Sequence, residues 1–209
     1  EQPKLAVVIL NWNGWRDTVD CLDSLLMSEY EGICVVVVDN GSTDDSVLRI
    51  MEWALRPKCE SVQSVAAGEC PRAWGSVLHY GSSDEALADT EARLECCQDT
   101  SLVVIENGAN VGFSAGNNVG LRYVLAQSAI DYVLVLNNDM VVKPRALSTL
   151  VAALEQRPEA GVAGGKILYY HDPSRIWFGG GRISWLHGGG IYLSRDKLEE
   201  HSGPSGTAR

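Results

Sequence analysis

The stretch ICVVVVDNGSTDDSVLRIMEWAL, residues 33–55, decides the fold. Apolar residues run without interruption from Ile33 to Val38. A run that short and that apolar reads as a strand buried on both faces. It stops at Asp39, and Asn40, Gly41 and Ser42 follow as a turn. Ser42 and Asp45 fit a capping box. Val47, Ile50, Met51, Ala54 and Leu55 then recur with helical period. Buried strand, polar turn and amphipathic helix make the repeating unit of a parallel sheet covered by helices on both sides.

Outward from this unit the pattern recurs. LAVVIL (5–10) ends at NWNG, and Val19, Leu22, Leu25 and Leu26 follow at helical spacing. SLVVIEN (101–107) precedes a Gly-rich helix start, and YVLVLNND (132–139) precedes Pro144, which suits the first turn of a helix. That helix has Leu147, Leu150, Val151 and Leu154 on its inner face. With so few such units, an open doubly wound sheet is expected rather than a barrel. Residues 57–100, mixing Cys, Gly, Pro, Ser and acidic side chains, break the rhythm and read as an insertion with one helix near 84–97. After Gly161, VAGGKILYY and RIWFGGGRISWLHGGGIYL read as a strand and a Gly-turned hairpin. The expected organisation is one domain over 1–194, with 195–209 a polar tail or the truncated start of a further region.

Composition narrows the function. The 209 residues are 45% hydrophobic, enough for a sizeable core, and carry a formal charge of −10. That balance disfavours a general nucleic-acid footprint, which needs clustered Lys and Arg. An acidic chain that handles an anionic small molecule needs local help, from a divalent cation or from helix N-termini. Among the six cysteines there is no CxxC spacing. Cys21 and Cys34 read as small buried hydrophobes, reduced in a cytoplasm. Cys70, His79, Cys96 and Cys97 match no familiar zinc spacing. No apolar run approaches membrane-spanning length.

The strand ends carry the chemistry. Asn11 and Asn13 follow the first strand, Asp39 and Asn40 the second, Asn107 and Asn110 the third, and Asn137, Asn138 and Asp139 the fourth. In open α/β sheets ligands bind beyond the carboxyl ends of the strands. Singly, NGS or NND is a turn; four strands ending alike point to a site. The first turn, NWNGW, lacks the glycines of a dinucleotide fingerprint. Gly112, Gly116 and Gly120 recur at intervals of four, which serves either a ligand groove beside Asn117 and Asn118 or close packing of helix on strand. Asp139 is a hard oxygen ligand suited to Mg²⁺ or Mn²⁺ bridging a diphosphate.

VVILNWNGWRDTVDCLDSLL, VVVVDNGSTDDS, NVGFSAGNNVGLRYVL and VLVLNNDMVV, in this order, resemble a family 2 glycosyltransferase of the GT-A fold, close to the rhamnosyltransferase-like branch. KILYY and IWFGGGRIS extend the resemblance less firmly. It implies a GT-A-like, open, mostly parallel sheet of the nucleotide-diphospho-sugar transferase type, with a C-terminal hairpin. It implies inverting transfer of a sugar from a dTDP- or UDP-linked donor to a hydroxyl of a glycan or lipid-linked acceptor, in surface polysaccharide synthesis. The location implied is cytoplasmic, at the cytoplasmic face of the membrane. By position Asp39 would contact the nucleoside, Asn11 and Asn13 would line the base pocket, and Asn40, Asn110, Gly116 and Asn117 would hold the donor. Asn137, Asn138 and Asp139 stand where the family carries its DXD metal motif. Asp139 would be the ligand of Mg²⁺ or Mn²⁺, with Asn137 in place of the first carboxylate. An inverting transferase needs a general base. The family's acidic block for that role has no match after Trp185, so the acceptor part is expected to be missing. The competing readings are a non-catalytic module that binds nucleotide sugar or a partner, and a sugar nucleotidyltransferase, which would need a basic Gly-rich loop that NWNG does not supply.

Overall fold

The computed structural model describes residues 2–56, 73–89, 100–127, 129–184, 189–192 and 194–199. They fall into two compact units, Glu1–Val151 and Ala152–Arg209, and the strands after Gly161 belong to the second.

The first unit begins with β1 (Leu5–Asn11), α1 (Trp15–Leu26), β2 (Ile33–Asp39) and α2 (Ser46–Ala54). β3 (Ser76–Tyr80), α3 (Ser83–Ala88), β4 (Ser101–Glu106), α4 (Phe113–Leu125), β5 (Tyr132–Asn137) and α5 (Ala146–Glu155) follow. The five strands form one sheet in the order β3-β4-β2-β1-β5. Every pairing is parallel. The open parallel sheet expected from the buried runs is the sheet observed.

Both faces are covered at the centre of the sheet, whereas β5, expected to be buried on both faces, is covered on one only and leaves Val133 and Val135 exposed. On one face of the sheet, Val7, Ile9, Ile33, Val35, Val37, Leu102 and Val104 meet Cys21, Leu22 and Leu25 of α1, Ile50 of α2, and Leu147 and Val151 of α5. On the other, Ala6, Val8, Val36, Val38, Val103 and Ile105 meet Ala86 of α3 and Val119, Tyr123 and Val124 of α4. The period of 2 along each strand assigns alternate residues to the two layers, which is why β1 and β2 must be apolar throughout. α4 comes closest. A Cβ at Gly120 would stand 2.6 Å from a Val8 methyl, and one at Gly116 2.6 Å from Leu10 Cδ1. These glycines therefore serve helix-on-strand packing.

Three local expectations need correction. Residues 57–100 are not simply an insertion, because SVLHY within them is β3, a strand at the edge of the main sheet beside β4. The expected helix near 84–97 is present as α3 over Ser83–Ala88, capped by the Ser82 hydroxyl accepting from Glu85 N–H at 3.2 Å; residues 90–97 lie outside the described ones. The capping box of Ser42 and Asp45 does not form: Asp45 caps α2 with no side-chain bond, because Asp39 takes both the Ser42 N–H and its hydroxyl.

In the second unit β6 (Ile167–Leu168) pairs antiparallel with β7 (Ile176–Phe178). β8 (Gly181–Ser184) pairs antiparallel with β9 (Gly189–Tyr192), which is the hairpin expected there. No helix among the described residues is long and apolar enough to cross a membrane.

Candidate functional site

The order of the strands locates the site. From β1 the chain moves to β2, on to β3 at the edge and back to β4 between those two, then crosses to the other side of β1 for β5. Such a reversal opens a crevice at the carboxyl ends of the strands. The ends are level: Asn11 pairs with Asp39, Asp39 with Glu106, and Leu10 with Asn137. The polar residues expected from the sequence thus leave the sheet along one edge.

A cleft of about 300 Å³ lies there. Leu10 and Trp12 line it from β1, Asn40 from the end of β2, and Asn110 and Phe113 from the start of α4. Asn137, Asn138 and Asp139 line it from β5. That volume is at the lower end of the range for ligand sites. Of the candidate residues, the structure brings Asn40, Asn110, Asn137, Asn138 and Asp139 together around one cavity. Asn11, Asn13, Asp39, Gly116 and Asn117 are not in its lining.

Those five support it from behind. Asp39 is buried, and its Oδ1 accepts from Asn11 Nδ2 at 2.7 Å and from the Ser42 hydroxyl at 2.5 Å. Its Oδ2 accepts from Ser42 N–H at 2.9 Å. The carboxylate expected to meet a nucleoside is thus engaged by the protein on both oxygens. Asn13 adopts a left-handed φ of 51°, which Asn tolerates better than most residues. Its Oδ1 accepts from Thr43 N–H at 2.7 Å, tying the turn after β1 to the turn after β2. Asn117 donates back to the Phe113 carbonyl within α4 at 2.9 Å.

Asn40 is the post on which the opposite wall stands. Its Oδ1 accepts from Asn107 Nδ2 and from Val111 N–H, each at 3.2 Å. Its Nδ2 donates to Asn110 Oδ1 at 3.0 Å, and Asn110 Oδ1 also accepts from Gly112 N–H at 2.9 Å. These bonds fix the loop that delivers Asn110 and Phe113 to the cleft.

Two features of the cleft went unassigned in the sequence. Trp12 is 55% exposed and Phe113 62% exposed, so two aromatic faces stand open at a polar site. The signal was present in NWNG: an indole placed between two asparagines at a strand end has no core to enter.

Asp139 is the one carboxylate among the lining residues. Its charge is felt by Cys21, whose thiol is pushed up to about 12, first by burial and then by Asp139. Cys21 stays a neutral thiol, as its reading as a small hydrophobe implied, and Cys34 is likewise buried and outside any disulfide. His79 pairs with Glu106 at 2.8 Å, while Cys70, Cys96 and Cys97 lie outside the described residues. No group of three or more His, Cys, Asp or Glu among the described residues is placed to hold a metal. A lone carboxylate flanked by carboxamides fits a divalent cation that arrives bound to a diphosphate, whose oxygens complete the shell.

The parallel sheet flanked by helices, with a polar cleft at its switch point, matches the GT-A fold of nucleotide-diphospho-sugar transferases. The chain belongs to glycosyl transferase family 2, whose model matches residues 77–209. Among solved structures it is similar to TarS of S. aureus, residues 1–349, at 17% identity and a TM-score of 0.45, over 74% of this chain and 33% of that one. It is similar to the mannosyltransferase PcManGT of Pyrobaculum calidifontis, in complex with GDP-Man and Mn²⁺, at 17% identity and a TM-score of 0.49, over 82% of this chain and 37% of that one. The chain therefore spans less than half the length of either. Among curated proteins nothing matches it.

Proposed function

We propose that this chain is the donor-binding part of an inverting glycosyltransferase, which moves a sugar from a dTDP- or UDP-linked donor to an acceptor hydroxyl. The observation that carries the reading is the meeting of Asn40, Asn110, Asn137, Asn138 and Asp139 around one cleft at the switch point of the sheet. Membership of glycosyl transferase family 2 supports it. Residues 1–194 form the donor-binding part, and 195–209 lead toward the acceptor region. The resemblance to the rhamnosyltransferase-like branch suggests a hexose or deoxyhexose donor and a glycan or lipid-linked acceptor in surface polysaccharide synthesis, at the cytoplasmic face of the membrane.

In this reading the exposed faces of Trp12 and Phe113 take the flat base or an apolar sugar face, as aromatic rings do for such ligands. The carboxamides of Asn110 and Asn137 hydrogen-bond hydroxyls of the donor. Asp139 would hold Mg²⁺ or Mn²⁺, which would offset the charge that develops on the leaving phosphate. Asp39, Asn11 and Asn13 hold the two turns that shape the cleft and do not touch the donor. The general base is assigned to none of the described residues.

Thermal unfolding with UDP, dTDP, GDP and ADP, each with and without Mn²⁺, tests the reading. One pyrimidine diphosphate should raise the melting temperature, and Mn²⁺ should increase the rise, since a ligand at 100 times its dissociation constant adds about 2.7 kcal/mol. No rise with any of them at millimolar concentration overturns it.

A further inference from the structure

Asp39 and Asn138 leave different strands, yet a single line of hydrogen bonds joins them. The direction of each bond follows from the one before. An ionised carboxylate can only accept, so Asn11, 2.7 Å away, must turn its nitrogen to Asp39. Asn11 is fully buried, and its oxygen then needs a donor from within the protein. The Thr18 hydroxyl supplies it at 2.8 Å. The other acceptor within reach of that hydroxyl is the Gly14 carbonyl at 3.1 Å. On either choice the single hydroxyl hydrogen is spoken for, and the Thr18 oxygen can only accept from Asn138. It does so from Asn138 Nδ2 at 3.1 Å, and the Gly14 carbonyl lies 3.4 Å from the same nitrogen. Reversing the Asn138 amide would set its oxygen against two acceptors. The oxygen is thus the atom of this carboxamide left for the cleft.

We propose that Thr18 is a positioning residue, which holds the Asn138 carboxamide with its nitrogen inward and its oxygen toward the cleft beside Asp139. The inference rests on the donor-binding reading above for its ligand: the oxygen serves a divalent cation carried in on a nucleoside diphosphate. Asparagine in the middle of NND acts as an oriented oxygen, and the charge that orients it sits three residues along the chain of bonds, at Asp39. This gives the buried carboxylate a role at the site without contact to the nucleoside.

Gly14 completes the device. A Cβ there would stand 2.9 Å from Asn138 Nδ2, the movable end of a side chain, so alanine displaces the amide rather than the backbone. The φ of −138° at Gly14 is open to other residues.

The test compares wild type with Thr18→Val, Thr18→Ser and Gly14→Ala by two readouts. The first is the exchange protection and chemical shift of the Asn138 side-chain NH2 in ¹⁵N-labelled protein without ligand. The second is the Mn²⁺-dependent affinity for UDP and dTDP, by calorimetry. Thr18→Val and Gly14→Ala should expose the Asn138 NH2 to exchange and weaken Mn²⁺-dependent binding on the order of 10- to 100-fold, the usual loss when the group orienting a metal ligand is removed. Thr18→Ser, which keeps the hydroxyl, should restore both. Unchanged Asn138 signals in folded Thr18→Val, or unchanged Mn²⁺-dependent affinity, overturns the proposal. If wild type binds neither nucleotide, the donor-binding reading falls and the Asn138 signals alone decide whether Thr18 orients the amide.

Discussion

At the scale of single residues, the site is defined by which polar side chains are free and which are spent. Asp39 and Asn11 are spent on the protein, and Asn13 on the turn after β2. Asp139 is the one carboxylate in the lining. Asp139→Ala should abolish the increment that Mn²⁺ adds to nucleotide affinity, a loss of at least about tenfold or 1.4 kcal/mol. Asn137 lines the cleft with an exposed side chain, so Asn137→Asp should add a second hard ligand and tighten Mn²⁺ binding. Calorimetry with Mn²⁺ and UDP or dTDP reads both; equal metal-dependent affinity in all three proteins would remove Asp139 from the site. Which asparagines line the cleft was not legible in the sequence. Asn11, Asn40 and Asn137 look alike in a string of letters, and only the partners each one finds decide whether it holds the wall or forms its surface.

At the scale of elements, α4 and α1 carry the energetics that set the cleft walls. Gly120 lets α4 lie directly on Val8 and Val38. Gly120→Ala would gain about 1 kcal/mol of helix propensity, but its methyl meets Val8 Cγ1 at 2.6 Å, an overpacking that costs roughly 1–3 kcal/mol. The net effect expected is destabilising. Gly165→Ala, with nothing within 4 Å, should leave urea denaturation unchanged, and equal midpoints for the two variants would contradict the close approach. Cys21 on α1 supplies a pH test. Its thiol is raised from 9.0 to about 12 in the fold. A raised acid group favours the fold below its unfolded value, so that contribution fades as pH rises from about 9 toward 12. Stability of wild type should fall over that window, and Cys21→Ala, less stable at pH 7 because it leaves a cavity, should fall less steeply. Parallel curves would show that burial of Cys21 has no part in the slope. The strands at the centre of the sheet were legible because double-sided burial demands unbroken apolar runs. β3 was not: it lies at the edge, is only partly buried with His79 exposed, and sits in a segment whose composition reads as loop.

At the scale of the whole molecule, the topology puts the chemistry in one place. Parallel strands in level register send Asn11, Asp39, Glu106 and Asn137 to a common edge, and the return of the chain to β5 opens the cleft between them. The four strand-end blocks therefore pointed to the edge where the candidate cleft lies, because in a parallel sheet every βα turn lies on the same side. Trp12 left a signal in NWNG, whereas Phe113 and Thr18 escaped notice because what they touch depends on distances across elements rather than on spacing along the chain. The most direct test of the account is to add UDP or dTDP with Mg²⁺ to ¹⁵N-labelled protein and map the changes in backbone and side-chain amide signals. The account predicts changes confined to Trp12, Asn40, Asn110, Phe113 and Asn137 to Asp139, saturating with one nucleotide per chain. Absence of change at these residues, or changes confined to Ala152–Arg209, would contradict it.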